Sequence, residues 1–412
     1  EQSGTLDRKD LGSERLMDSF DQEKERGITI LAKNTAINWK DYKINIVDTP
    51  GHADFGGEVE RILTMVDSVL LLVDAVDGPM PQTRFVTEKA FEQGLNPILL
   101  INKIDRDGAR PDWVLDQVFD LFDRLDGNDE QMDFDVIYTS ALNGVAGLEP
   151  DEIKEDMSPL LDLIIEKVPS PKVDVSKPFQ MQISALDSNE YVGVIGIGRI
   201  KAGKIKPNDP VVIIDSDKEE RKGKVLQVMS HRGLERIEVS EADAGDIVCV
   251  SGIEKLFISD TLCSPENISS LPPLKVDEPT VSMTFQVNDS PFAGQDGKFV
   301  TSRNIKERLE QELLSNVALR VKQGDSPDKF IVSGRGELHL SVLIESMRRD
   351  GFELGVSKPE VIQKEINGEI HEPYEQVVID IEEEFQGSIM EEMGLRKAEL
   401  RDMVPDGKGR LK

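Results

Sequence analysis

The chain has 412 residues, 38% apolar and 31% charged, with a formal net charge of −30. That length suits about three domains, and the apolar content excludes a disordered chain. The negative charge excludes a nonspecific nucleic-acid binder, whose affinity comes from clustered Lys and Arg.

Residues 40–170 alternate apolar runs with helical stretches. The runs 44–48 (INIVD), 68–74 (SVLLLVD), 97–102 (PILLIN) and 135–139 (DVIYT) are expected to be parallel strands covered on both faces. Helices are expected over 54–66, 83–94 and 112–126, the last with Trp113, Val118, Leu121, Phe122 and Leu125 on its core face. The whole reads as an open α/β sheet, whose ligands bind beyond the carboxyl ends of its strands.

A Pro-rich linker at 168–178 leads to short glycine-punctuated strands over about 177–270, the pattern of a small β-barrel. From 276 to 366 the order becomes β-α-β-β-α-β, that of a ferredoxin-like domain. Residues 371–412 begin another β-α pair and stop before completing a second such domain. No run reaches the ~18 apolar residues that span a membrane, and the first residues, EQSGTLDRKD, lack a signal peptide's apolar core. Cys249 and Cys263 have no metal-site spacing, which fits a reducing, cytoplasmic setting. Residues 1–170 hold 36 acids against 17 bases, so any RNA-contacting surface is expected in the later domains.

Three strand ends carry the chemistry. Asp48, in IVDTPGH, can hold Mg²⁺ through water, and the Gly51 N–H can bond a terminal phosphate oxygen. In NKID (102–105), a buried Asp105 can accept two hydrogen bonds from guanine that adenine does not offer. The Lys103 stem can lie against the base plane, and Asn102 can tie neighbouring loops together. Ser140, Ala141 and Leu142 follow the 135–139 strand, where small residues and backbone N–H groups can reach the guanine carbonyl. Thr29, in ERGITI, can close over the metal and phosphate. His52, just past Gly51, can orient the attacking water or accept a hydrogen bond from it; the alternative is a surface histidine on a mobile loop. His339 is expected to pack or cap a helix. Gly198–Lys204 has phosphate-loop spacing, but Ile205 replaces the required Ser or Thr, so it reads as a barrel hairpin.

The motifs ERGITI, VDTPGHADF, NKID and TSAL resemble those of the translational GTPases, and YVGVIGIGRIKAGKIKPND resembles their second-domain barrel. Within that group DFGGEVERIL, DGPMPQTRFV, GARPDWVLDQVFDLF and VSGRGELHLSVLIESMRRDGFEL resemble the BipA/TypA family. The resemblance implies a P-loop-type GTPase α/β domain, a translation-factor barrel and ferredoxin-like domains. It implies GTP, GDP and Mg²⁺ as ligands and the ribosome as partner. The expected activity is GTP hydrolysis that drives release from the ribosome, in stress response or ribosome assembly, by a monomeric cytoplasmic protein.

Two features depart from the family pattern. The family reads DRP after the guanine motif where this chain has Asp105-Arg106-Asp107, and the stretch 6–27 is divergent. The family's phosphate loop lies upstream of a segment like QSGTLD, and its C-terminal domain follows GKGRLK. No G-x-x-x-x-G-K-[ST] occurs in these residues, so the chain alone is expected to be inactive. The alternatives are a non-catalytic ribosome-binding fragment and a LepA-like elongation factor.

Overall fold

The computed structural model describes residues 3, 17, 20–189, 192–374, 376–379, 381–405 and 409–411. Most of the divergent 6–27 stretch before α1 therefore lies outside the described residues, as do parts of the expected fourth segment. The chain divides into two compact units, 1–362 and 363–412.

The first unit opens with α1 (Asp21–Arg26), then β1 (Lys33–Trp39) and β2 (Tyr42–Asp48), which form an antiparallel hairpin. α2 (Gly56–Leu63), β3 (Val69–Asp74), α3 (Pro81–Glu92), β4 (Pro97–Asn102) and α4 (Pro111–Arg124) follow. Then come α5 (Asp129–Met132), β5 (Asp135–Ser140), β6 (Val145–Gly147) and α6 (Ser158–Lys167). The sheet order is β3-β4-β5-β6, with β3, β4 and β5 parallel and β6 antiparallel to β5.

One expectation needs correcting. β2 is not among the parallel strands; within the described residues it pairs with β1 alone. An apolar run states that a strand is covered, but not which neighbour it bonds.

On one face of the sheet Leu71, Val73, Leu99 and Ile101 pack against Val114, Val118 and Phe122 of α4. On the other, Ile98, Leu100 and Ile137 pack against Leu160 and Leu163 of α6. Register places Leu70 and Leu72 on that second face, beside Ile98 and Leu100. They nevertheless remain 36% and 57% exposed.

Nine strands between Gln180 and Cys263 form one antiparallel sheet that wraps a core including Met181, Ile183, Ile200, Ile213 and Val250. The Gly198–Lys204 stretch lies inside it. A Cβ on Gly198 would sit 1.9 Å from the Gln182 carbonyl, so glycine serves close strand approach there and not phosphate binding. It is not a hairpin: Gly203 joins Gly193–Ala202 to Lys204–Ile205, which pairs instead with Ala242–Asp243. Ile62 and Met65 cover Ile195, Ile247 and the buried Cys249, joining this sheet to the first domain.

Strand Val281–Val287, α7 (Ser302–Ser315), strands Arg320–Gln323 and Lys329–Gly334, α8 (Glu337–Arg349) and strand Leu354–Val356 follow in split βαβ order, and the short strand Glu360–Val361 also pairs with Val281–Val287. Phe285, Ile305, Leu309, Val332, Leu340 and Leu343 form their core.

The second unit holds a hairpin of Lys364–Ile366 and Glu369–His371, α9 (Gln386–Leu395), and strand Ile381–Glu382 paired with Arg410–Leu411. It begins at Gln363, shortly before the break expected at 366–371. Among the described residues no helix is long and apolar enough to cross a membrane.

Candidate nucleotide site

Register sets Asp74, Asn102 and Thr139 side by side at the carboxyl ends of β3, β4 and β5. Asn102 Oδ1 accepts from the Thr139 hydroxyl (3.2 Å) and the Ala141 N–H (3.0 Å), tying the β4 and β5 loops together. Lys103 turns the chain with a left-handed φ of 64°, a conformation that costs a side-chain-bearing residue about 1 kcal/mol or more and persists where surroundings fix it. Its ammonium lies 2.8 Å from Asp74 Oδ2.

Two expected features differ. Asp105 is exposed, not buried. The Ala141 N–H is committed to Asn102, and the buried Ser140 hydroxyl accepts from Asn143 N. The Leu142 N–H, on a residue 90% exposed, has no partner among the described residues and is the amide of this turn left to face a ligand.

The other end of the site is assembled from two domains. Thr29 lies between α1 and β1, in a segment fixed by the buried Glu23. Glu23 Oε1 accepts from Ile30 N and Leu31 N, both at 3.0 Å, and Oε2 pairs with Lys33. Burial pushes the Glu23 carboxyl up, but Lys33 and these amides outweigh it and its pKa falls below the ordinary value. Asp48 ends β2, Gly51 follows the Pro50 turn, and His52 Nδ1 accepts from Asp54 N at 3.2 Å.

Asp54 reaches into the ferredoxin-like domain. Its Oδ2 accepts from Leu338 N (2.8 Å) and His339 N (3.2 Å), capping the start of α8. Gly336 makes room for it, since a Cβ there would sit 2.3 Å from both Asp54 oxygens. Gln22 Nε2 donates to Val342 O and Ser346 Oγ of the same helix, and Ile30, Phe55 and Val342 close a small shared core. Phe55 stands edge-on between His52 and His339. His339 is structural: Nδ1 accepts from Arg335 N, and Nε2 meets the Asn316 side chain.

Among the described residues no three His, Cys, Asp or Glu groups form a metal cage. Mg²⁺ held by one carboxylate, a hydroxyl, phosphates and water needs no such cage, so the donors Asp48 and Thr29 suit it. Sequence reasoning missed Glu23, Asp54 and Asp74. Only Asp74 left a local signal, an acid ending an apolar strand as Asp48 does.

An α/β domain with a guanine-type strand-end motif, followed by a barrel and a ferredoxin-like domain, defines a translational GTPase. Residues 1–170 match the elongation factor Tu GTP binding domain, and 193–263 match elongation factor Tu domain 2. The chain is 66% identical to the large ribosomal subunit assembly factor BipA of Haemophilus influenzae, aligned over all of this chain and 67% of that protein. It is 65% identical to the proteins of that name from Salmonella typhimurium and Escherichia coli K12, over all of this chain and 68% of each. The chain belongs to the BipA family.

Proposed function

We propose that this protein is a ribosome-associated GTPase that acts in assembly of the large ribosomal subunit and uses GTP hydrolysis to time its release. The observation that carries the reading is the register of strand ends that brings Asn102, Lys103 and the Ser140–Leu142 turn together. Asp105 accepts the two guanine N–H donors, Lys103 covers the base, and the Leu142 amide faces the carbonyl. Asp48 and Thr29 would hold Mg²⁺, which when bound would offset charge on the phosphates. Gly51 N–H donates to the terminal phosphate.

His52 orients the attacking water. Its Nδ1 is occupied as an acceptor by Asp54 N, so the neutral ring carries its proton on Nε2. That nitrogen donates to the water oxygen instead of removing its proton, as suits a loose transition state dominated by positioning. The reading is of a monomeric, cytoplasmic factor.

A second observation is the exposure of Leu70 and Leu72 on β3. They offer an apolar surface to the strand and helix that carry the phosphate loop in the family. The test of the main reading is ribosome-stimulated hydrolysis by full-length His52→Ala protein. Turnover should fall roughly 10²-fold with GDP affinity intact; unchanged turnover would remove His52 from the mechanism.

A further inference from the structure

Asp74 has no part in the roles given above, yet it touches the base-covering lysine. It ends β3 with its side chain 13% exposed, and its two oxygens do different things. Oδ1 accepts from Val76 N (2.8 Å) and Asp77 N (3.3 Å), closing the turn after the strand. Oδ2 takes Lys103 Nζ at 2.8 Å and Arg106 Nη1 at 3.0 Å. Burial pushes the carboxyl up, but the Lys103 ammonium and the turn amides outweigh it, and its pKa lies below the ordinary value.

We infer that Asp74 is a positioning residue for nucleotide binding: it anchors the Lys103 ammonium so that the lysine stem stretches across the strand ends as a platform for the base. This rests on the nucleotide-site reading of Asn102–Asp105. Lys103 is 54% exposed, and ion pairs that open to solvent contribute little to folding. A free lysine stem, by contrast, samples many rotamers and must be ordered each time a base lands on it. Holding it beforehand removes that cost from binding. The left-handed backbone at Lys103 aims the stem, and Asp74 fixes its far end.

The substitution Asp74→Asn separates this role from a structural one. The Asn carbonyl can still accept from Val76 N and Asp77 N, so the turn survives, while the anchor for Lys103 is lost. Binding of a fluorescent GDP and of GTP to the full-length protein should weaken by about tenfold for both nucleotides. The preference for GTP over ATP should not change, because a lysine stem covers either base. In a Lys103→Ala background, Asp74→Asn should have no further effect. The inference is overturned if Asp74→Asn binds as wild type does, or if its full effect persists without Lys103. Wild-type protein that bound neither nucleotide would overturn the nucleotide-site reading itself.

Discussion

The guanine end of the site and its water end are built on different principles. Asp74 and Asn102 end adjacent parallel strands whose ladder fixes their spacing, Lys103 follows directly, and Asn102 closes the arrangement with two bonds inside one domain. His52 sits on a loop whose nearest support is Asp54, and Asp54 spends its Oδ2 on a helix 284 residues away in the chain. One end is therefore set by the sheet as soon as it folds. The other depends on whether the ferredoxin-like domain stays docked, and so can be changed by anything that moves that domain. On the proposed reading, binding and turnover are separable.

The sharpest way to break the guanine end is Asp105→Asn. The amide presents an N–H where guanine also presents one, leaving donors unpaired. GTP affinity by calorimetry should fall about 10²-fold, at the low end for a base-reading group because Asp105 is exposed. A loss below threefold would mean that Asp105 does not read the base.

Acid should reach the water end through His339. Burial holds the His339 pKa below its ordinary value of 6.5, with Asp54, Glu312, Arg335 and Asn316 around the ring. The unfolded chain therefore takes up the proton more readily than the folded one. The stability this histidine contributes is full above pH 6.5 and is lost as pH falls below it, at roughly 1 kcal/mol per pH unit. Denaturation at pH 7.5 and 5.5 should show a smaller acid loss for His339→Gln than for wild type, while GDP affinity stays level. Equal losses in the two proteins would remove His339 from the acid response.

The same contrast governs what the amino-acid sequence reveals. PILLIN followed by NKID marks β4 and the polar loop after it because an apolar strand and a polar loop are both local patterns. The split βαβ order from 281 to 356 was legible for the same reason. The cap that Asp54 places on α8 was not, since nothing within a few residues of HADF marks a partner near Gly336. β2 was assigned to the parallel sheet because its apolar run resembles the others, whereas its partner is the preceding strand. The Asn367-Gly368 turn, with φ of 54° and 85°, carries the Asn-Gly signature of a tight hairpin between Lys364–Ile366 and Glu369–His371.

The central claim, that the ferredoxin-like domain holds the water end without shaping the guanine end, is tested most directly by Gly336→Ala. The added Cβ would fall 2.3 Å from the Asp54 carboxylate and displace it from α8. In the full-length protein GDP affinity should match wild type while ribosome-stimulated GTP hydrolysis falls about tenfold or more. Unchanged hydrolysis by a folded variant, or a parallel loss of GDP affinity, would contradict the claim.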